Sequence, residues 1–265
     1  MQLKDKIAII IGAGQSPGET IGNGRATAIR FAREGAQVLL VDKHVESAEE
    51  TAHMISTENG TASTLNADIT SETNCQNIAQ TCVERYGRID ILHNNVGTLQ
   101  GDAGTVDLLE ENWQRLMDIN IKGLFLTCKH VLPIMRNQKS GAIINISSTA
   151  SVCYRPITLA YKIGKAGINA LTQNLALENA PYGIRVNAIL PGLMDTPMAI
   201  EPRLEMQDID RETLRQERSN QVPLGQQMGT AWDVAAAATF LASDDAKYIT
   251  GVLLPVDGGL CARIG

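Results

Sequence analysis

Ser148, Tyr161 and Lys165 are the residues whose types and spacing suit proton transfer at a carbon–oxygen bond. Tyr161 and Lys165 stand four apart in a stretch, 160–180, that reads as an amphipathic helix, so they share one face a turn apart. A phenol titrates near ~10 in water, and an ammonium fixed beside it stabilises the phenolate and draws that value toward neutrality. Ser148 lies thirteen positions before Tyr161, just past an apolar run opened by Gly141 that reads as a buried strand. That placement puts a hydroxyl at a strand end beside the pair. A tyrosine and a lysine at this spacing also occur on ordinary helix surfaces, so the elements that position them must decide between the readings.

Those elements alternate. The continuous apolar run 6–12 is the signature of a strand covered on both faces, and 37–41, 62–65, 89–92, 142–146, 185–190 and 252–256 read the same way. Helical patterns fall between them at 24–34, 47–58, 72–86, 111–137, 160–180 and 231–242. Such β-α-β alternation predicts an α/β fold, a doubly wound parallel β-sheet with helices on both faces, in a single domain over 1–265. The stretch 192–230 lacks strand character and is highly charged around 201–220, which predicts a lid or substrate loop.

Composition excludes several classes. A net charge of −6 without a basic run argues against nucleic-acid binding. Only five apolar residues follow Lys6, too few for a signal-peptide core or a membrane span, so a cytoplasmic protein is expected. The five cysteines, Cys75, Cys82, Cys128, Cys153 and Cys261, are scattered, with no metal-ligand spacing, which fits free thiols in a reducing compartment and no metal. Cys153 stands apart because its loop follows Ser148.

The first strand is followed by Gly12-Ala-Gly14, and Gly22-Asn-Gly24 opens the next helix. Glycines there allow a tight turn and close approach of backbone to a pyrophosphate at a helix N-terminus. Together with Ser148, Tyr161, Lys165 and the late Val256-Asp257-Gly258-Gly259, this turn resembles the short-chain dehydrogenase/reductase family, over about residues 3–260. The resemblance departs at the turn, where Gly12 and Gly22 are ten apart instead of four, so Gln15–Thr20 contains about six extra residues. A widened turn is similar to that of the enoyl-reductase branch, but that branch carries its lysine seven positions after its tyrosine. Position 168 here is isoleucine.

The resemblance implies roles. Ser148 orients the substrate oxygen, Tyr161 is the general acid or base, Lys165 holds the nicotinamide ribose and lowers the tyrosine pKa, and Asn120 completes a proton relay through water. Asp42, closing the second strand, accepts the adenosine ribose hydroxyls and repels a 2′-phosphate, which predicts NAD; Lys43 beside it is the opposing consideration. Asp68 and Ile69 match the adenine contact, although Asp68 also reads as a helix cap. Asn94-Asn95-Val96-Gly97 matches the turn after strand four, with valine where the family has alanine; the alternative to a cofactor contact there is a plain strand-ending turn. Pro191, Gly192, Leu193 and Thr196 match the segment that contacts the nicotinamide carboxamide.

The expected pocket comprises Val96, Thr98, Leu99, Ala150, Val152, Cys153, Tyr154, Leu193, Met194 and Met198. It is mainly apolar, which suits a small to medium secondary alcohol or ketone. A 3-ketoacyl carrier-protein reductase using NADPH and a non-catalytic NAD(P)-binding redox sensor are the competing readings. Family resemblance implies a homotetramer, or a homodimer, pairing the helices at 111–137 and 160–180.

Overall fold

A computed structural model describes residues 1–153, 158–206 and 208–263. Its centre is a parallel sheet of seven strands: β1 Ile7–Ile11, β2 Gln37–Asp42, β3 Thr61–Asn66, β4 Ile91–Asn94, β5 Gly141–Ile146, β6 Ile184–Pro191 and the edge strand Leu253–Val256. The spatial order is β3-β2-β1-β4-β5-β6 followed by that edge strand, so the winding reverses between β1 and β4. A crevice opens at such a reversal, at the carboxyl ends of the strands. The strand at 89–92 starts later than its apolar run suggests. Asp90 is spent on a local tie, accepting from the Ile7 amide at 2.9 Å, and pairing begins at Ile91.

Helices α1 Asn23–Arg33, α2 Val45–Thr57, α3 Glu72–Tyr86, α4 Glu110–Met117, α5 Gly123–Gln138 and α6 Leu159–Asn179 join these strands. One core lies between the sheet and α3, α5 and α6, built from Ile9, Leu39, Leu92, Ile143 and Val186 with Ile78, Val131 and Ile168. The other face of the same strands presents Ile10, Leu40, Ile91 and Ile144 to Phe31, Ile55 and Val234. Strands buried on both sides need no polar alternation, which is why each reads as an unbroken apolar run.

The stretch 192–230 is not structureless. It forms the two-residue strands β7 Met194–Asp195 and β8 Gly229–Thr230, which pair in parallel, with α7 Pro197–Met206 and α8 Arg211–Ser219 between them. Helix α9, Ala231–Ala242, then packs beside α1 and leads to the edge strand, β9 (Leu253–Val256). Among the described residues no helix is long and apolar enough to cross a membrane.

A buried polar ladder ties the middle of the sheet to its helices. Asn94 Nδ2 donates to Asn145 Oδ1 at 3.0 Å, Asn145 Nδ2 donates to Thr172 Oγ1 at 2.9 Å, and Thr127 Oγ1 donates to Asn94 Oδ1 at 2.8 Å. All four side chains are at most 3 % exposed, so each lost bond strands a desolvated group. Asn145→Ala should lower unfolding stability by about 2–4 kcal/mol, read in urea titrations, whereas a change under about 0.5 kcal/mol would show the ladder to be dispensable.

Candidate active site

Lys165 is 2 % exposed, and among the described residues no carboxylate pairs with it. Its Nζ donates to the Ile146 carbonyl at the end of β5 at 2.8 Å and lies 5.7 Å from the centre of the Tyr161 ring. Burial pushes its pKa down to about 8. The Ser147 hydroxyl donates to the Lys165 carbonyl at 3.0 Å, which sews the helix backbone to the strand end. Ser148, half-buried, follows in extended conformation, and its Oγ accepts from the Ala150 amide at 3.1 Å. Lys165 thus stands at the carboxyl end of β5 with the Tyr161 ring beside it, and Ser148 follows the same strand end.

Asn120 sits in a π-helical turn, Asp118–Lys122, that interrupts the helix predicted over 111–137 and divides it into α4 and α5. The turn is fully buried at Asn120. Its side-chain amide grips one residue twice, Oδ1 accepting from the Thr98 amide at 2.9 Å and Nδ2 donating to the Thr98 carbonyl at 2.8 Å. A side chain at Gly97 would stand 2.9 Å from Lys165 Nζ and 3.1 Å from Asn120 Oδ1. Only glycine lets the lysine and the asparagine approach each other there.

Asp102 was not singled out by its type or its neighbours. Its carboxylate caps the helix that bears Tyr161, accepting from the Ala160 amide at 3.1 Å and the Tyr161 amide at 2.8 Å. A carboxylate at a helix N-terminus offsets unpaired amides and the positive end of the dipole. Asp102 is 59 residues from Tyr161, so no local signal announces it. The loop 97–103 is therefore pinned at both ends, by Asn120 and by the N-terminus of α6.

At the nucleotide end, Gly12 has φ +75°, and a side chain at Gly24 would meet the Gly12 carbonyl at 1.9 Å. Asn95 Nδ2 donates to that same carbonyl at 3.2 Å, and Val96 leans on Gly12 from the other side. Asp42 Oδ2 accepts from the Gly14 amide at 2.9 Å, and its Oδ1 accepts from the His44 amide at 3.0 Å. Behind the turn, buried Arg25 donates to Ser47 and to Thr51, and Thr51 Oγ1 donates to the Ala13 carbonyl at 2.8 Å. A side-chain-free turn, the N-terminus of α1 and a carboxylate fixed at the end of β2 fit an adenine dinucleotide.

The extra residues form an ordered loop. Gln15 Oε1 accepts from the Gly22 amide at 2.9 Å and Nε2 donates to the Thr20 carbonyl at 3.3 Å, closing the excursion on itself. Its tip lies against α7, where a side chain on Gly18 would meet Pro197 and Glu201 within 2.8 Å. Glu19 pairs with Arg211 and Arg215 at 3.2 and 3.5 Å, Arg211 bridges on to Glu201 at 2.7 Å, and Arg215 reaches Asp195 at 3.2 Å. The bidentate hydrogen bonds from Arg211 hold the Glu201 carboxyl below the usual carboxylate range.

Other expected contacts divide. Asp68 is exposed and accepts from the Thr70 amide and hydroxyl at 2.8 and 2.7 Å; partial burial opposes its ionisation, but these bonds and nearby Lys43 outweigh that and hold its pKa down. The cap of α3 is Ser71, not Asp68. Ile69 is 7 % exposed with its side chain against Gly123, which leaves only its backbone for a ligand. Gly192 lies against Asp257, its amide donating to the Val256 carbonyl at 3.0 Å, at the end of β6 that Pro191 closes. Thr196 is buried, with its carbonyl starting α7.

Met194 departs from its predicted place in the pocket. Pairing of β7 with β8 turns its side chain inward, 5 % exposed, with its sulfur against Gly229. Leu193 likewise is 4 % exposed and packs with Ile200, Leu214, Val222 and Met228. Ala150 is buried, Met198 and Val152 are exposed, and Cys153 is half-buried. Tyr154 lies outside the described residues.

Comparison with known proteins decides the family. A family model described as enoyl-(acyl carrier protein) reductase matches residues 19–261. Glucose 1-dehydrogenase 2 of Bacillus subtilis is 36 % identical over 97 % of this chain and 95 % of its own. The chain belongs to the short-chain dehydrogenase/reductase family. A 3-oxoacyl-(acyl-carrier-protein) reductase of Thermotoga maritima is 34 % identical over 98 % of this chain and 99 % of its own. The solved structure of an NAD⁺-bound xylitol dehydrogenase superposes with a TM-score of 0.89 at 33 % identity, covering 98 % of this chain and 100 % of that one. As a member of this family the chain is an oxidoreductase. Position 168, where the enoyl-reductase branch has lysine, holds an isoleucine wholly buried in the core.

The depressed pKa of Lys165 has a consequence for stability. Between about pH 8 and 10.5 the unfolded chain binds the proton that the folded chain has released, so this residue's destabilising effect is full below pH 8 and fades as pH rises. Lys165→Met should therefore be more stable than the parent by about 3 kcal/mol at pH 7, with the gap closing toward pH 10.5. Denaturant titrations at both pH values check this; a gap independent of pH would refute it.

Proposed function

We propose that this chain is an NAD-dependent short-chain alcohol dehydrogenase or ketone reductase, acting on a small to medium secondary alcohol or ketone that is apolar or cyclic. The observation that carries the reading is the buried ammonium of Lys165, with no carboxylate partner among the described residues, one helical turn from Tyr161. A buried charge without a carboxylate lowers stability, so a packing role would favour an apolar residue in its place. A proton-transfer role explains the lysine.

The nicotinamide cofactor, when bound, supplies or accepts the hydride. Tyr161 takes the hydroxyl proton of an alcohol, or returns one to a ketone oxygen, and the Lys165 ammonium stabilises the phenolate that results. Ser148 Oγ holds the substrate oxygen in place; toward the Ala150 amide it acts as acceptor, and a hydroxyl that accepts there still has a hydrogen to donate. Asn120 positions the Thr98 backbone beside Lys165, and Gly97 leaves the space between them for solvent exchange of protons. Thr98, Leu99, Val152, Cys153 and Met198 line the substrate side, and α7 and α8 act as the lid. The mainly apolar character of Leu99, Val152 and Met198 supports a substrate without phosphate groups.

Tyr161→Phe should lower kcat by roughly a hundredfold or more while thermal unfolding stays unchanged. A folded variant with full turnover, measured over a panel of alcohols and ketones, would sink the assignment.

NAD is supported by Asp42, whose carboxylate is tied to the Gly14 and His44 amides at the end of β2 and cannot swing away from a 2′-phosphate. NADH should bind at least about tenfold more tightly than NADPH in fluorescence titrations, a difference of roughly 1.4 kcal/mol. Tighter NADPH binding, together with turnover of an acetoacetyl thioester, would instead favour the 3-ketoacyl carrier-protein reductase.

A further inference from the structure

Three of the five cysteines are sealed in the core. Cys75, Cys82 and Cys128 are at most 1 % exposed, and burial pushes their thiols up to about 11, 12 and 12. The other two, Cys153 and Cys261, are 108 residues apart, half-buried, and their sulfurs lie 3.8 Å from each other. Each is held by its own backbone. The Cys153 carbonyl accepts from Lys162 Nζ at 2.7 Å, and the Cys261 amide donates to Asp257 Oδ2 at 2.7 Å.

The geometry points to Cys153 and Cys261 as a thiol–disulfide site that cross-links the loop after Ser148 to the C-terminal turn Leu260–Ala262. A disulfide needs sulfurs about 2.05 Å apart, so closure asks for a shift of under about 2 Å, within reach of side-chain rotation at both residues. The two thiols lose two electrons and two protons to a small disulfide such as oxidised glutathione. The protein gains one S–S bond, the glutathione S–S bond breaks, and two glutathione thiols leave.

Selectivity follows from packing, because the three core thiols are unreachable by a solvent-borne disulfide. Cys261 has a thiol pushed up to about 12 by burial, by Asp257 and by Cys153, which makes it the resolving partner in place of the initial nucleophile. The bond joins two parts of the molecule that lie 108 residues apart in the chain. On one side is the substrate-side loop. On the other is a turn that follows β9 and is already fastened to residues 222–224, where the Leu224 amide donates to the Gly258 carbonyl at 2.9 Å.

The test uses the purified full chain, incubated with oxidised glutathione at pH 8 and then digested without reduction. Expected are a fall from five free thiols to three, a Cys153–Cys261 cross-linked peptide by mass spectrometry, and a rise of several degrees in Tm that dithiothreitol reverses. Cys153→Ser and Cys261→Ser, each folded by Tm, should lose the cross-link and the rise. Five thiols retained, or a stable glutathione adduct on Cys153 with Cys261 still free, would overturn the proposal. None of these readouts needs a substrate, so they stand or fall separately from the enzymatic assignment.

Discussion

An ammonium with no counter-ion among the described residues, enclosed between a helix and the end of a strand, is the constraint to which much of this molecule answers. Among the described residues Lys165 meets the Ile146 carbonyl and the face of the Tyr161 ring, and several neighbours hold it there. Glycine at position 97 gives it room, the Ser147 hydroxyl fixes its backbone, and a buried amide ladder from Asn94 to Thr172 keeps β4, β5 and the helix in step beneath it. Such a group is tolerated only when the surroundings over-determine its position.

The nucleotide end shows the same economy of means. A carboxylate on β2 and an amide side chain after β4 close on the glycine turn, so the turn is shaped by groups from two other strands. None of these ties involves a long side chain searching for a partner. They draw on backbone donors and acceptors that the parallel sheet has already placed within reach.

Much of this was legible in the amino-acid order. Strands covered on two faces announce themselves as apolar runs, and the Tyr161–Lys165 spacing puts both on one helical face. What escaped depends on separation along the chain or on backbone detail. Asp102 caps the helix from 59 residues away, and a carboxylate in a loop carries no mark of its future partner. The π-turn at Asn120 arises because that side chain reaches across to Thr98, which periodicity does not encode. Met194 read as pocket-facing from its place after β6, but a two-residue pairing with β8 rotated it into the core. The widened turn was visible as an insertion, whereas its attachment to α7 and α8 required Arg211 and Arg215 to be brought opposite Glu19.

That attachment joins the two ends of the crevice mechanically. The loop that borders the glycine turn and the helices α7 and α8 are fastened by one string of alternating charges, Glu201, Arg211, Glu19, Arg215 and Asp195. Neither end can swing outward without tugging on the other, and linkage requires the influence to run equally in both directions. Because the fastening is ionic and borders solvent, dissolved electrolyte works on it as a lubricant, loosening a joint that no change in the core would reach.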